Sequence, residues 1–68
     1  MTFGENLKRI RKEMKLTQAE MAKEIGISQS YIADIERNRK NISLAVILKI
    51  AKGLKISVNK LINDDIKQ

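Results

Sequence analysis

The chain has 68 residues, of which 43% are hydrophobic and 32% are charged, and it contains no cysteine, histidine or proline. These absences exclude disulfides, thiol nucleophiles and the usual zinc sites, and they remove the side chain used most often as a general base. Fourteen basic against eight acidic side chains give a net charge of +6, which favours a polyanionic partner, with nucleic acid ahead of a membrane surface.

A chain of this length suits one small domain with a single core, which leaves little room for an enclosed catalytic pocket. The first six residues lack the basic and then apolar pattern of a signal peptide, and no apolar run approaches the roughly 18 residues that span a bilayer. We therefore expect one cytoplasmic domain over residues 1–68 that is not an enzyme. No catalytic residue, metal ligand, cofactor or small-molecule ligand is predicted.

Capping residues and hydrophobic spacing predict five helices. Thr2 with Glu5 and Thr17 with Glu20 form capping boxes, and serines at three later positions are good N-caps. Gly26 supplies the positive φ angle that ends the second helix, and the third follows after a tight turn, as in a helix-turn-helix. The predicted helices cover residues 3–14, 17–25, 28–36, 43–54 and 57–64. The expected fold class is an all-α, compact five-helix bundle.

The third predicted helix has an outward face of polar and small side chains. At about 100° per residue, this face groups Gln29, Ser30, Ala33, Asp34 and Arg37. Ile32 and Ile35 lie opposite, and Tyr31 lies at the border. Amide, hydroxyl and methyl groups can read base edges in a major groove. Each of these residues alone is also an ordinary exposed helix residue, but their grouping after a glycine turn favours base recognition.

Four segments in order resemble the helix-turn-helix domain of Cro/C1-type (Xre family) regulators. They are residues 16–22 (LTQAEMA), 26–32 (GISQSYI), 35–38 (IERN) and 48–54 (LKIAKGL). The resemblance covers about residues 5–63. The chain is also similar to phage repressors and restriction-modification controller proteins. It implies a lambda repressor-like fold and a nucleoid-associated transcriptional regulator of double-stranded DNA. Such a regulator binds a palindromic operator as a homodimer, with helix 3 in the major groove.

The resemblance also implies roles for single residues. Base readout falls to Gln29, Ser30, Ala33 and Asp34. The side chains predicted at the DNA backbone are Gln18, Tyr31, Arg37, Asn38, Lys40, Asn41 and Arg11. Arg11 is further expected to pair with Glu36, an acid that the dipole at the end of helix 3 otherwise disfavours.

The chain departs from the family pattern at Asn38, Ile42 and Lys55, where glycine, proline and glycine are common. An apolar Ile42 near a surface loop suggests a subunit interface. The predicted homodimer surface comprises Ile42, Leu44, Ile62 and Ile66, although Leu44 and Ile62 also suit the core. The alternative function is an antitoxin-like or other protein-interaction module, in which this helix 4–5 surface binds a different protein.

Overall fold

The computed structural model describes residues 2–62, and this part of the chain forms five α-helices. They are α1 (Phe3–Glu13), α2 (Gln18–Ile25), α3 (Gln29–Glu36), α4 (Leu44–Leu54) and α5 (Val58–Leu61). The predicted all-α fold class is confirmed. None of these helices is long and apolar enough to cross a membrane.

Each of the five helices begins at a threonine or serine whose side-chain oxygen accepts a hydrogen bond from a backbone N–H three residues later. Both predicted capping boxes are present: the Glu5 carboxylate accepts from the Thr2 N–H at 2.9 Å, and that of Glu20 accepts from the Thr17 N–H at 2.8 Å. The other three N-caps are Ser28, Ser43 and Ser57. Hydrogen bonds local to the sequence therefore position every helix start.

Three of the helices are followed, within two residues of their end, by a residue other than glycine whose backbone is left-handed. Lys15, Asn38 and Lys55 have φ angles of 59°, 59° and 58°, and in each case the next residue donates its N–H back to a carbonyl five residues earlier. This conformation costs an L-residue about 1–2 kcal/mol relative to the right-handed one. Asparagine adopts this conformation more readily than other L-residues, so it is the departure from glycine at Lys55 that leaves strain, at the end of α4.

The core lies among the five helices: α3 packs against α1 and α2, α4 packs against α2 and α5, and α5 also contacts α1. Its fully buried apolar side chains come from all five helices: Leu7, Ile10, Met21, Ile32, Ile35, Ile50 and Leu61. Gly53 permits α4 to touch the end of α2, since a Cβ there would lie 2.7 Å from the Cα of Ile25. The core thereby holds α3 with one face inward and the other toward solvent.

A buried amide joins the two ends of the described chain. Asn6 on α1 is fully buried, and its Nδ2 donates to the carbonyl oxygens of Lys60 and Leu61 at 3.2 and 2.7 Å. Because these carbonyls lie at the end of α5, the side chain satisfies groups that the short helix leaves unpaired. This role of Asn6 was not predicted from the sequence.

The structure corrects three details of the predicted helices. α1 ends at Glu13, one residue earlier than predicted, and Met14 is the C-cap and is 40% exposed. On α4, Leu44 and Leu48 face solvent, which removes the core alternative for Leu44. α5 ends at Leu61, earlier than predicted, and residues 63 and 64 of the predicted span lie outside the described residues.

Candidate nucleic-acid interface

The outward face of α3 is an accessible surface of small and polar groups. Gln29 and Ser30 in its first turn are exposed, whereas Ala33 and Asp34 one turn later are half-buried. The opposite face is closed, because Ile32 and Ile35 are fully buried. Tyr31, at the border, is half-buried and packs against the core, so its ring supports α3 from the side.

The end of α3 is tied to α1 and α2 by a buried ion pair. The Glu36 carboxylate accepts from Arg11 Nε at 2.7 Å and from Arg11 Nη2 at 3.2 Å, a bidentate geometry. The two side chains are only 12% and 4% exposed. The same guanidinium donates from Nη1 to the Leu16 carbonyl at 3.0 Å, and Gln18 Nε2 donates to Glu36 at 3.1 Å. The expected Arg11–Glu36 pair is therefore present, with two further members.

This network limits the side-chain groups that Arg11 and Gln18, two of the residues predicted at the DNA backbone, can offer to a ligand. Three of the five Arg11 N–H groups already donate inside the protein, so the guanidinium is held mainly as an internal brace. Gln18 uses one of its two amide hydrogens on Glu36. Its second amide hydrogen remains, at the start of α2, where backbone N–H groups also favour an anion.

Asn38 has a role that the sequence did not reveal. Its Oδ1 accepts a hydrogen bond from the Gly4 N–H at 3.2 Å, across 34 positions of sequence. A Cβ on Gly4 would lie 2.2 Å from the Ile35 carbonyl oxygen, so glycine allows α1 to approach the end of α3. The Asn38 side-chain oxygen thereby fixes the start of the following loop.

The positive charge of the protein is concentrated after α3. Residues 2–36 carry six basic and six acidic side chains, whereas residues 37–62 carry seven basic and no acidic ones. The exposed loop from residue 37 to 43 holds three of these cations, together with the exposed Asn38 and Asn41: Arg37, Arg39 and Lys40. Arg39 was not among the predicted contacts, although its place between two predicted cations could have suggested it. This loop is the basic flank of the α3 surface.

The model of the helix-turn-helix family matches residues 7–61, nearly the whole described chain. The chain belongs to the helix-turn-helix family. It is 45% identical over 65 residues to the immunity repressor protein of Bacillus phage phi105, covering 96% of this chain but only 45% of that protein's length. The predicted relationship to Cro/C1-type regulators is confirmed, and the relatives are regulators rather than enzymes, as expected.

Two solved structures share the fold of this helix-turn-helix chain. The restriction-modification controller protein C.AhdI from Aeromonas hydrophila is 37% identical with a TM-score of 0.81, and the match covers 87% of this chain and 89% of that one. The biofilm regulator SinR, crystallised in complex with DNA, is 33% identical with a TM-score of 0.81 over 91% and 100% of the two chains. Both likenesses agree with the predicted lambda repressor-like architecture.

Beside the basic loop, the helix-turn-helix domain exposes an apolar strip along α4. Leu44 is 66% exposed and Leu48, one turn later, is 50% exposed, while Ile62 beyond α5 is 38% exposed. Of the other predicted interface residues, Ile42 is half-buried and packs against the core, and Ile66 lies outside the described residues. Leu48 was not among the residues predicted at this surface.

Proposed function

We propose that the protein is a sequence-specific DNA-binding transcriptional regulator that inserts α3 into the major groove. The observation that carries the proposal is the exposed polar face of α3, held rigidly by a buried opposite face and by the Arg11–Glu36 pair. A major groove admits one α-helix, and an amide such as that of Gln29 can form a bidentate pair with adenine. Ser30 can donate or accept, and the Ala33 methyl suits a thymine methyl.

The basic loop supplies the contacts that are independent of sequence. Lys40, Arg37 and the Asn41 amide lie exposed beside α3, where they can bind the phosphates that flank the groove. Gln18, at the start of α2, would bind a phosphate on the other side of the groove through its second amide hydrogen. With about eight phosphates neutralised by two copies, affinity should fall as roughly the seventh power of salt concentration.

A homodimer on a palindromic operator is the arrangement that we propose for the bound state. A second copy would cover the exposed apolar side chains of Leu44, Leu48 and Ile62, because exposed apolar patches mark protein interfaces. Lys52 follows Leu48 by one turn, and no acid lies between residues 37 and 62. Two copies meeting here bring like charges together, so dimerisation should strengthen as salt rises, opposite to DNA binding.

The same apolar strip is also consistent with a second candidate function, that of a module whose α4 surface binds a different protein. The absence of acids from residues 37–62 supports it, because an acidic partner would relieve the repulsion that a second copy feels. Sedimentation of the purified chain at low and high salt separates the two. Dimers that strengthen with salt support the homodimer, whereas a monomer at every salt concentration supports the other protein.

The proposal is tested by selecting bound duplexes from a random DNA library with the purified protein and sequencing them. We expect a palindromic motif with half-sites about one helical turn apart. Gln29→Ala should weaken binding to that motif by about 1–3 kcal/mol and leave non-specific binding nearly unchanged. A folded protein that enriches no motif at moderate salt would contradict the proposal.

A further inference from the structure

Asp34 is an unpartnered acid on the α3 surface. Four of the acids in residues 2–62 have carboxylates that accept a hydrogen bond from a backbone N–H or an arginine side chain: Glu5, Glu13, Glu20 and Glu36. The side-chain carboxylates of Asp34 and Glu24 have no hydrogen bond or ion pair with any described residue. Asp34 differs from Glu24 in being half-buried, and since no buried oxygen in this part of the chain lacks a partner, its carboxylate oxygens reach solvent.

An acid at this place is unfavourable for general DNA binding. It lies one turn after Ser30 on the surface proposed to enter the groove, and phosphates repel it. A carboxylate without an internal partner has acceptors only, so it requires a donor from its ligand. In the major groove, guanine presents acceptors alone, thymine an acceptor and a methyl, and adenine a donor beside an acceptor. Cytosine presents the N4 amino group without a neighbouring acceptor on the same base.

We propose that Asp34 is a specificity-determining residue that accepts a hydrogen bond from a cytosine N4 amino group in each half-site. The inference rests on the proposed function, because it requires α3 to lie in the major groove. A half-site with cytosine gives the carboxylate its missing donor, whereas guanine and thymine present no donor and adenine presents its N6 donor beside the N7 acceptor, which repels a carboxylate. Asp34 therefore contributes to specificity by rejection as well as by attraction.

The test compares three variants of the full chain by the same library selection and by titration of non-specific duplex. Asp34→Asn replaces one oxygen by a donor, and an amide pairs with adenine N6 and N7, so one position of each half-site should change from cytosine to adenine. Asp34→Ala should lose the preference at that position, a change of about 5- to 150-fold. It should also bind non-specific DNA about 2- to 5-fold more tightly, because a nearby negative charge is removed.

Glu24→Ala is the matched control, since Glu24 is exposed on α2, has no described partner and carries the same charge. This variant should keep the motif of the unaltered protein. A motif that is unchanged in both Asp34 variants would overturn the assignment while leaving the proposed function standing. Equal gains in non-specific affinity for Asp34→Ala and Glu24→Ala would reduce Asp34 to a general charge and also overturn it. If the unaltered chain selects no motif, the proposed function fails and the assignment fails with it.

Discussion

Replacing Glu36 by glutamine tests whether the buried pair holds α3 in place. The substitution keeps the size and shape of the side chain, removes its charge and leaves the Arg11 guanidinium uncompensated at 12% exposure. Glu13→Gln is the matched control, because Glu13 accepts from Arg9 at 2.9 Å in an i,i+4 pair whose side chains are 39% and 51% exposed. The same chemical change is thus made once in the interior and once at the surface.

The two environments predict different losses of stability. Breaking a buried pair by removing one partner costs about 3–5 kcal/mol, and we expect about 3 kcal/mol for Glu36→Gln because the amide oxygen can still accept one hydrogen bond. An exposed i,i+4 pair contributes about 0.3–0.5 kcal/mol. A domain of 68 residues has roughly 3–10 kcal/mol of stability in all, so the interior change removes a large share.

Urea unfolding followed by far-ultraviolet circular dichroism measures both variants. With a slope of about 1 kcal/mol per molar urea, Glu36→Gln should lower the midpoint by about 3 M and Glu13→Gln by less than about 0.5 M. Stabilities of the two variants within about 1 kcal/mol of each other would refute the conclusion that burial sets the strength of this pair. The double variant R11M/E36L should recover most of the loss, since apolar residues remove both buried charges.

Four other expectations follow from single residues. Gly53→Ala should lower stability by about 1–3 kcal/mol, read from thermal unfolding, because its Cβ would overlap the α2 backbone. Lys55→Gly should raise stability by about 0.5–1 kcal/mol by relieving the left-handed φ of 58°, so an unchanged melting temperature would argue against strain there. The backbone N–H of Thr2 that donates to Glu5, with the Thr2 side chain, lowers the pKa of that carboxyl. The ionised Glu5 carboxylate therefore contributes its full stabilisation above the unfolded-state pKa, and this contribution is lost as the pH falls through the lower folded-state pKa. When unfolding is followed by acid titration, Glu5→Gln should not show this loss of stability. Lys40→Ala should weaken binding to all DNA sequences alike and reduce the salt slope by about one, and an identical slope would remove it from the phosphate contacts.

The unequal distribution of charge also has a consequence for how the surface works. Because residues 2–36 are balanced in charge, attraction to a polyanion comes from the loop after α3 and from α4. α3 itself carries two acids, Asp34 and Glu36, and no cation. Under the proposed function, attraction and discrimination would therefore come from different segments of the chain, and substitutions in one could be measured without removing the other.

Local chemistry written in the sequence determined where the helices begin and which surface α3 presents. An N-cap such as Ser28 and a capping box such as Thr17 with Glu20 act within four residues, so they need no knowledge of the rest of the chain. The stripe of Ile32 and Ile35 likewise defined the buried face of α3 by its spacing alone.

Contacts between distant segments were decided by the tertiary structure. The Asn38 side chain bonds to Gly4 across 34 positions, and Asn6 reaches the carbonyl oxygens at the end of α5, so neither role has a local signature. Leu48 has the spacing of a core residue, yet it is half exposed, because the orientation of α4 depends on how Gly53 seats it against α2. Periodicity specifies that a helix has an apolar side, but the neighbours that pack against the helix decide how much of that side is covered.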